Sequence, residues 1–397
     1  MAGGMEKRRH RRAVTAGCAV SMSGAWNMTN VGAVADDLAD AYSTSLLMIG
    51  AFTAVLFIAH AASQIPAGHL IDRVGPRSPA LAAVGLSVAA ALVAMIAPVA
   101  ELALPARFVA GAATGLSFVS GTTFVGRYGG TTVDQGVFGG VGLATSGIAL
   151  AVTPLLYDVV GWRAPFLGGA VLGLCMLPFV LAGPRLLRAD RSKRAPGVQR
   201  VPRDPLLLRF GLMHATGLGF AVVVANWVVP LLTGENLAPL WAAGAIGSLV
   251  LIMGAIGRPL GGWLARRAPE RTQLLLAAAM VIAGAATAVL ALGPPVPVLI
   301  LTATVIGVAG GIPFGPALYG AGQAFPEFAA AAAGVVNTLS GVVIAIATPI
   351  VGLTFTLPGD GRIGFLVVAV AWMAVALRVP PSAAFRIPPP LPRGQRA

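Results

Sequence analysis

The chain has 397 residues, 57% of them hydrophobic and 10% charged, and its mean hydropathy is +0.84. A soluble domain carries about 25% charged residues, and so few polar groups could not cover a water-exposed surface; a soluble globular protein is excluded, and a polytopic membrane protein fits. The net charge of +13 would suit a nucleic-acid binder if it were clustered on one face, but it falls between apolar runs, where it meets lipid headgroups.

Lys7 to Arg12 followed by Ala13 to Val20 has the layout of a signal peptide. The apolar run continues to Ala35 without a small-residue cleavage site, so the sequence predicts a retained first spanning helix. Such a helix needs about 20 mostly apolar residues. Flanking charges, Gly and Pro mark twelve: 13–35, 44–67, 78–98, 102–125, 137–158, 164–183, 206–232, 239–265, 272–293, 296–320, 329–355 and 361–379. Pro184 to Pro205, rich in Arg and Pro, divides them six and six. The expected organisation is a six-helix bundle over 1–183, a cytoplasmic basic linker over 184–205, a second six-helix bundle over 206–380 and a disordered cytoplasmic tail over 381–397. Cys18 and Cys175 lie in apolar runs and read as packing residues.

With the N-terminus cytoplasmic, inner segments hold 23 Lys/Arg and outer loops two, Arg163 and Arg362. The positive-inside rule then predicts a multi-pass protein of the cell membrane with both termini cytoplasmic. Its partners are the lipid bilayer and a small-molecule solute, with no nucleic acid, and a monomer is the expected state.

The two halves echo each other. Pro66-Ala67-Gly68-His69-Leu70-Ile71-Asp72-Arg73 closes helix 2, and Pro259-Leu260-Gly261-Gly262-Trp263-Leu264-Ala265-Arg266 closes helix 8. Gly111-x-x-x-Gly115-x-x-Phe118 in helix 4 pairs with Gly307-x-x-x-Gly311-x-x-Phe314 in helix 10, and Arg163-x-x-Phe166-Leu167 with Arg362-x-x-Phe365-Leu366. Their common order points to a duplicated six-helix unit, an arrangement that places a substrate near the bilayer midplane between the halves.

Gly68-His69-Leu70-Ile71-Asp72-Arg73-Val74-Gly75-Pro76-Arg77 resembles the loop 2–3 signature of the major facilitator superfamily, Gly-x-Leu-x-Asp-Arg-x-Gly-Arg-Lys/Arg, departing at Pro76. Arg107 with Gly111 and Gly115 resembles that family's helix 4 motif, and Gly161-Trp162-Arg163-x-x-Phe166 its passage into helix 6. The resemblance runs from helix 1 to helix 12. It implies an all-α membrane fold of twelve transmembrane helices in two pseudo-symmetric six-helix bundles, working by alternating access without a cofactor. It also implies gating or motif roles for Gly68, Asp72, Arg73, Gly75, Arg77 and Arg107. Gly257-Arg258-Pro259-x-Gly261-Gly262 is similar to the nitrate/nitrite porter branch, whose helix 2 and helix 8 Arg residues clamp an anion. Here the helix 8 position is Arg258 and the helix 2 position is Gln64. The Gly-Asn-rich signatures of that branch are absent from Gly142 to Gly147 in helix 5 and from Gly334 to Asn337 in helix 11.

Arg258 lies eight residues before Arg266, about 12 Å into the membrane at 1.5 Å per residue. Burying a guanidinium there costs at least about 2.5–3.5 kcal/mol, so it faces a cavity or a partner. It either holds an anion with its planar fork or bonds helix carbonyls near Pro259. Arg107 either snorkels to the outer interface or serves the family motif. Asn27 and Asn30 share one helix face, as do His60 and Gln64, and each pair either lines a cavity or bonds a neighbouring helix. Asn337 joins them as a substrate-binding candidate; His214, Asn226, Trp227 and Tyr319 are weaker ones. Every Asp and Glu falls in a loop or at a helix end, so a coupling proton would need His60 or His214. No phosphate loop, metal-ligand cluster or nucleophile–base set occurs, so neither an enzyme nor an ATP-driven pump is expected.

The sequence therefore predicts a secondary carrier of a small anion or zwitterion, with Arg258, Gln64, Asn27 and Asn30 contacting it. The alternatives are an efflux pump for drugs or neutral metabolites, and a non-transporting membrane sensor.

Overall fold

The computed structural model describes residues 2–44, 46–97, 99–185, 204–234, 236–359 and 361–385. These residues are helices joined by short turns. We number the twelve long helices α1 (Ala2–Ala25), α2 (Leu46–Val74), α3 (Arg77–Ile96), α4 (Ala100–Arg127), α5 (Thr132–Val160) and α6 (Ala164–Leu181) in the first set. The second set holds α7 (Pro205–Gly234), α8 (Leu240–Arg267), α9 (Thr272–Ala291), α10 (Val296–Ala324), α11 (Ala329–Leu353) and α12 (Arg362–Ala376). Among the described residues ten helices are long and apolar enough to cross a membrane. The other two are α1, whose first half carries the basic residues Lys7 to Arg12, and the apolar α12, only 15 residues long. The basic linker expected at 184–205 lies largely outside the described residues, as does the tail from 386 onward. Ser382–Phe385, expected to be disordered, forms a turn because Phe385 packs edge-on against Phe210, ring centroids 5.5 Å apart.

Local chemistry sets the helix ends. Thr131 and Asp134 form a reciprocal capping box at the start of α5. Asp204 accepts from the amides of Leu206 and Leu207 ahead of Pro205 at the start of α7. Gly75, at φ 83°, takes the left-handed position that ends α2, and its amide returns to the Ile71 carbonyl at 2.8 Å.

Three helices depart from the continuous spans predicted by hydropathy. The span expected over 13–35 stops being α-helical at Ala25 and continues as 3₁₀ turns at Trp26–Met28 and Gly32–Val34. α7 holds a π-turn at Thr216–Phe220, and α10 breaks at Ile312–Pro313 before resuming at Phe314. A backbone polar group released inside a membrane protein needs a new partner. The partners found below for the α1 break and the α7 π-turn belong to candidate functional clusters.

Packing follows the sequence echo. α4 lies on α2 where Gly111 faces Leu56 and Gly115 faces Ser63 and His60. α10 lies on α8 where Gly307 faces Val250 and Gly311 faces Gly254. The two sets of helices meet along two seams, α5 with α8 and α2 with α11. Small residues let the backbones approach. Along the first seam Gly140 lies on Ala255 and Gly147 on Ile252; along the second Gly334 lies on Gln64 and Gly341 on Ala61. The seams run inward from the end that carries Arg73, Arg127 and Arg266, called here the basic end.

Candidate functional site

Between the two sets of helices lies a cavity of about 30 Å³ whose lining includes Ser21, Ser117, Phe118, Ser146, Leu218 and Arg258. Arg258 is the one charged residue on it, and it is 2% exposed. Its Nη1 donates to the carbonyl of Gly139 on α5, and its Nη2 to that of Gly217 in the π-turn of α7, at 3.3 Å. The guanidinium lies 3.9 Å over the ring of Phe314, an attraction between cation and ring face. Nε has no hydrogen-bond partner among the described residues. Gly136 and Gly139 make room: a Cβ on the first would fall on the Arg258 backbone, and one on the second would enter the Phe314 ring. Among the described residues no carboxylate accepts from Arg258; the acceptors are carbonyl dipoles and a π face. The carbonyls it bonds lie on α5 and α7, not near Pro259 in its own helix.

A second cluster gathers at the break in α1. Arg107 is 2% exposed, so it points inward rather than to the outer interface. Its Nη2 donates to the Asn27 carbonyl at 2.8 Å and its Nη1 to Asn30 Oδ1 at 3.5 Å. Asn27 donates to Ser87 Oγ, and Asn30 and the Trp26 indole both donate to the Pro165 carbonyl. Ser146 Oγ donates to the Ala25 carbonyl at 2.9 Å, while Thr29 Oγ1 donates to the Ser146 carbonyl at 2.6 Å. The helix break is thus closed by Arg107 of α4, Ser146 of α5 and the side chains of the segment that follows α1.

A third cluster crosses the α2–α11 seam. Asn337 Nδ2 donates to His60 Nε2 at 2.9 Å, and Gln64 Nε2 donates to the same nitrogen at 3.0 Å. His60 is then protonated on Nδ1, which donates to Thr114 Oγ1 at 2.8 Å; that hydroxyl donates to the Gly111 carbonyl. On the other side His214 Nε2 donates to Asn337 Oδ1 at 2.9 Å. His60, Gln64, His214 and Asn337 are all fully or almost fully buried.

At the basic end, Asp72 accepts from Arg127 Nη2 at 2.6 Å and from the amides of Ala330 and Ala331, at 3.4 and 3.1 Å. Those amides open α11, so a carboxylate of one set of helices caps a helix of the other. Gly68 permits the approach, since a Cβ there would sit 2.6 Å from Ala331 Cα. Arg77 donates to the Leu181 carbonyl at the end of α6, and Arg73 is exposed.

The residues singled out in the sequence therefore fall into four places. Arg258 alone lines the cavity. Asn27 and Asn30 join Arg107, and His60, Gln64 and Asn337 join His214. Asp72, Gly68, Gly75 and Arg77 sit at the basic end. Sequence reading did not find Arg127, Ser146, Phe314 or the Gly217 carbonyl. The echoed Gly-x-x-x-Gly-x-x-Phe motif was the signal that could have drawn attention to Phe314.

A family model described as Major Facilitator Superfamily matches residues 15–348. Among solved structures, a single-site variant of the E. coli fucose:proton symporter FucP aligns with a TM-score of 0.70 and 15% identity, over 94% of this chain and 98% of that one. FucP in the outward conformation aligns with the same score and identity, over 92% and 97%. No curated protein matches the chain. The chain belongs to the major facilitator superfamily. It is a membrane transporter rather than an enzyme, and the fold supports secondary active transport.

Proposed function

We propose that this carrier moves a small anion or zwitterion, and that Arg258 is its charged contact. The observation that carries the reading is a buried guanidinium on the central cavity that no carboxylate among the described residues neutralises. Its charge is held by carbonyl dipoles and by Phe314, and its Nε is unsatisfied. An anion entering the cavity would gain a charge-assisted hydrogen bond at a site already shaped for a planar fork. The resemblance of Gly257 to Gly262 to the nitrate/nitrite porter branch supports an oxyanion or carboxylate.

Asn27, Asn30, His60, Gln64 and Asn337 act at one remove in this reading, holding the helices that form the cavity wall. The basic end is cytoplasmic by its Lys/Arg content. The Asp72 cap on α11 and the two glycine seams then close that side, and they part when the carrier opens inward.

The test is uptake of a panel of small anions and zwitterions into vesicles holding the purified chain. Arg258→Ala is expected to abolish uptake and Arg258→Lys to weaken it, because an ammonium cannot reproduce the fork. Undiminished uptake by Arg258→Ala would remove the proposal.

A further inference from the structure

The His60–Asn337–His214 chain has an asymmetry that the solute reading does not use. Every nitrogen of His60 is engaged, and its Nε2 already accepts from two amides. A proton added there would face two donors, and both amides would have to turn over. His214 differs: Nε2 donates to Asn337, while Nδ1 is buried with no hydrogen-bond partner among the described residues. A proton arriving at His214 Nδ1 leaves every existing bond in the chain as it is.

The position of His214 couples it to Arg258. Both pack on Phe314, His214 with its ring centroid 4.9 Å away and Arg258 at 3.9 Å over the ring. His214 also touches Phe118, at 5.7 Å, and Phe118 lines the Arg258 cavity. Of the elements packed around His214, α2 brings His60 and α8 brings Arg258 as titratable or charged groups acting on it. α4, α10 and α11 bring Phe118, Phe314 and Asn337, none of them charged.

We propose that His214 is the proton-binding site of an anion–proton cotransport cycle, seated beside Arg258 and tied across the α2–α11 seam to His60 through Asn337. The proposal rests on the reading of Arg258 as the solute contact. Like charges repel in a medium of low dielectric constant. An imidazolium at His214 and a bare guanidinium at Arg258 therefore oppose each other, and an anion seated at Arg258 relieves the conflict. Linkage makes the effect mutual: the bound anion favours the proton, and the bound proton favours the anion by the same factor. A charged His214 also donates more strongly to Asn337 Oδ1 and polarises the amide toward His60, so proton binding tightens the seam of the state seen here. The proton comes from water on the open side, rests on Nδ1, and leaves to water after the seam parts.

The full chain is reconstituted in phosphatidylcholine vesicles containing a pH-sensitive dye, with nitrate, L-lactate and glycine as probes against protein-free controls. Entry of a carried solute is expected to acidify the lumen for the wild type. His214→Gln is expected to lose this coupling, so that whatever solute it still carries brings no acidification. A wild type that carries a probe without acidification, or a His214→Gln variant that acidifies as much per solute as the wild type, overturns the proposal. Arg258→Ala carrying the probes as fast as the wild type overturns the solute reading instead, and a wild type that carries none of the three overturns both. Should His214→Gln be inert, ¹⁵N NMR of the wild-type imidazoles decides. His214 is expected as Nε2–H without solute and doubly protonated with it; a His214 that stays neutral with a carried probe from about pH 5 to 8 overturns the proposal.

Discussion

Phe118 of α4 and Phe314 of α10 meet edge to face, with ring centroids 6.3 Å apart and planes at 86°. They hold the same place in the two echoed glycine motifs, so the repeat contacts itself between the two sets of helices. Phe314 also carries Arg258 on its face and His214 at its side. Phe314→Leu keeps apolar bulk but removes the π face. It is expected to lower stability by about 1–2 kcal/mol, read as a drop in Tm of the purified carrier; an unchanged Tm would contradict the role given to the ring.

Gly68 is a position where one methyl group is too many. A Cβ there would lie 2.6 Å from Ala331 Cα and 2.8 Å from the Ala330 carbonyl oxygen. Gly68→Ala is expected to push α11 away and open the basic end. Spin labels on Val74→Cys and Glu327→Cys, in a chain carrying Cys18→Ala and Cys175→Ala, should then report longer distances than in the Gly68 parent. Coincident distance distributions would show that the contact can relax without opening.

Asp72 and Arg127 should act as one unit. Hydrogen bonds to charged groups contribute about 1.5–3 kcal/mol, and Asp72 makes them to Arg127 and to the α11 amides at once. Asp72→Asn is expected to weaken closure of the basic end and slow transport, while Arg127→Gln gives a smaller version of the same defect. The double variant should be less impaired than the two separate losses combined. Full additivity in solute uptake would mean the two side chains work independently.

Ser146→Ala removes a side-chain donor from the Ala25 carbonyl at the break in α1. A hydrogen bond contributes about 0.5–1.5 kcal/mol, so a matching loss of thermal stability is expected. A Tm equal to that of the wild type would show that another donor reaches the carbonyl.

The spans were legible because hydropathy over about 20 residues is set by lipid thickness, and the halves because charge and echoed motifs repeat. The breaks were not. Residues 26–34 read as the continuation of one apolar helix, but the backbone there is turned by bonds to Pro165 and Ser146, both distant in sequence. The π-turn of α7 likewise shows its meaning only when Arg258 arrives from another helix to take the Gly217 carbonyl. Residue types were informative at the candidate site; their grouping was not. The spacing of Asn27 and Asn30 put both on one face of a continuous helix, but the helix ends at Ala25; the Asn27 side chain bonds Ser87, and Arg107 takes the Asn27 carbonyl and Asn30 Oδ1. Helical period orders residues around their own axis and is silent about the neighbour.

Gly136, Gly139, Gly140 and Gly147 give α5 a nearly bare flank against α8 and α10. Between the few side chains that cross it, Arg258 and Thr132 by hydrogen bonds and Phe314 at the Gly139 notch, this flank has little to interlock, so parting it forces few rotamer changes. Once those contacts are released, separation gives up shallow dispersion attraction a little at a time. A machine that must open and shut along this line many times gains from such smoothness, and any bulky replacement on that flank would act as a wedge setting its resting position.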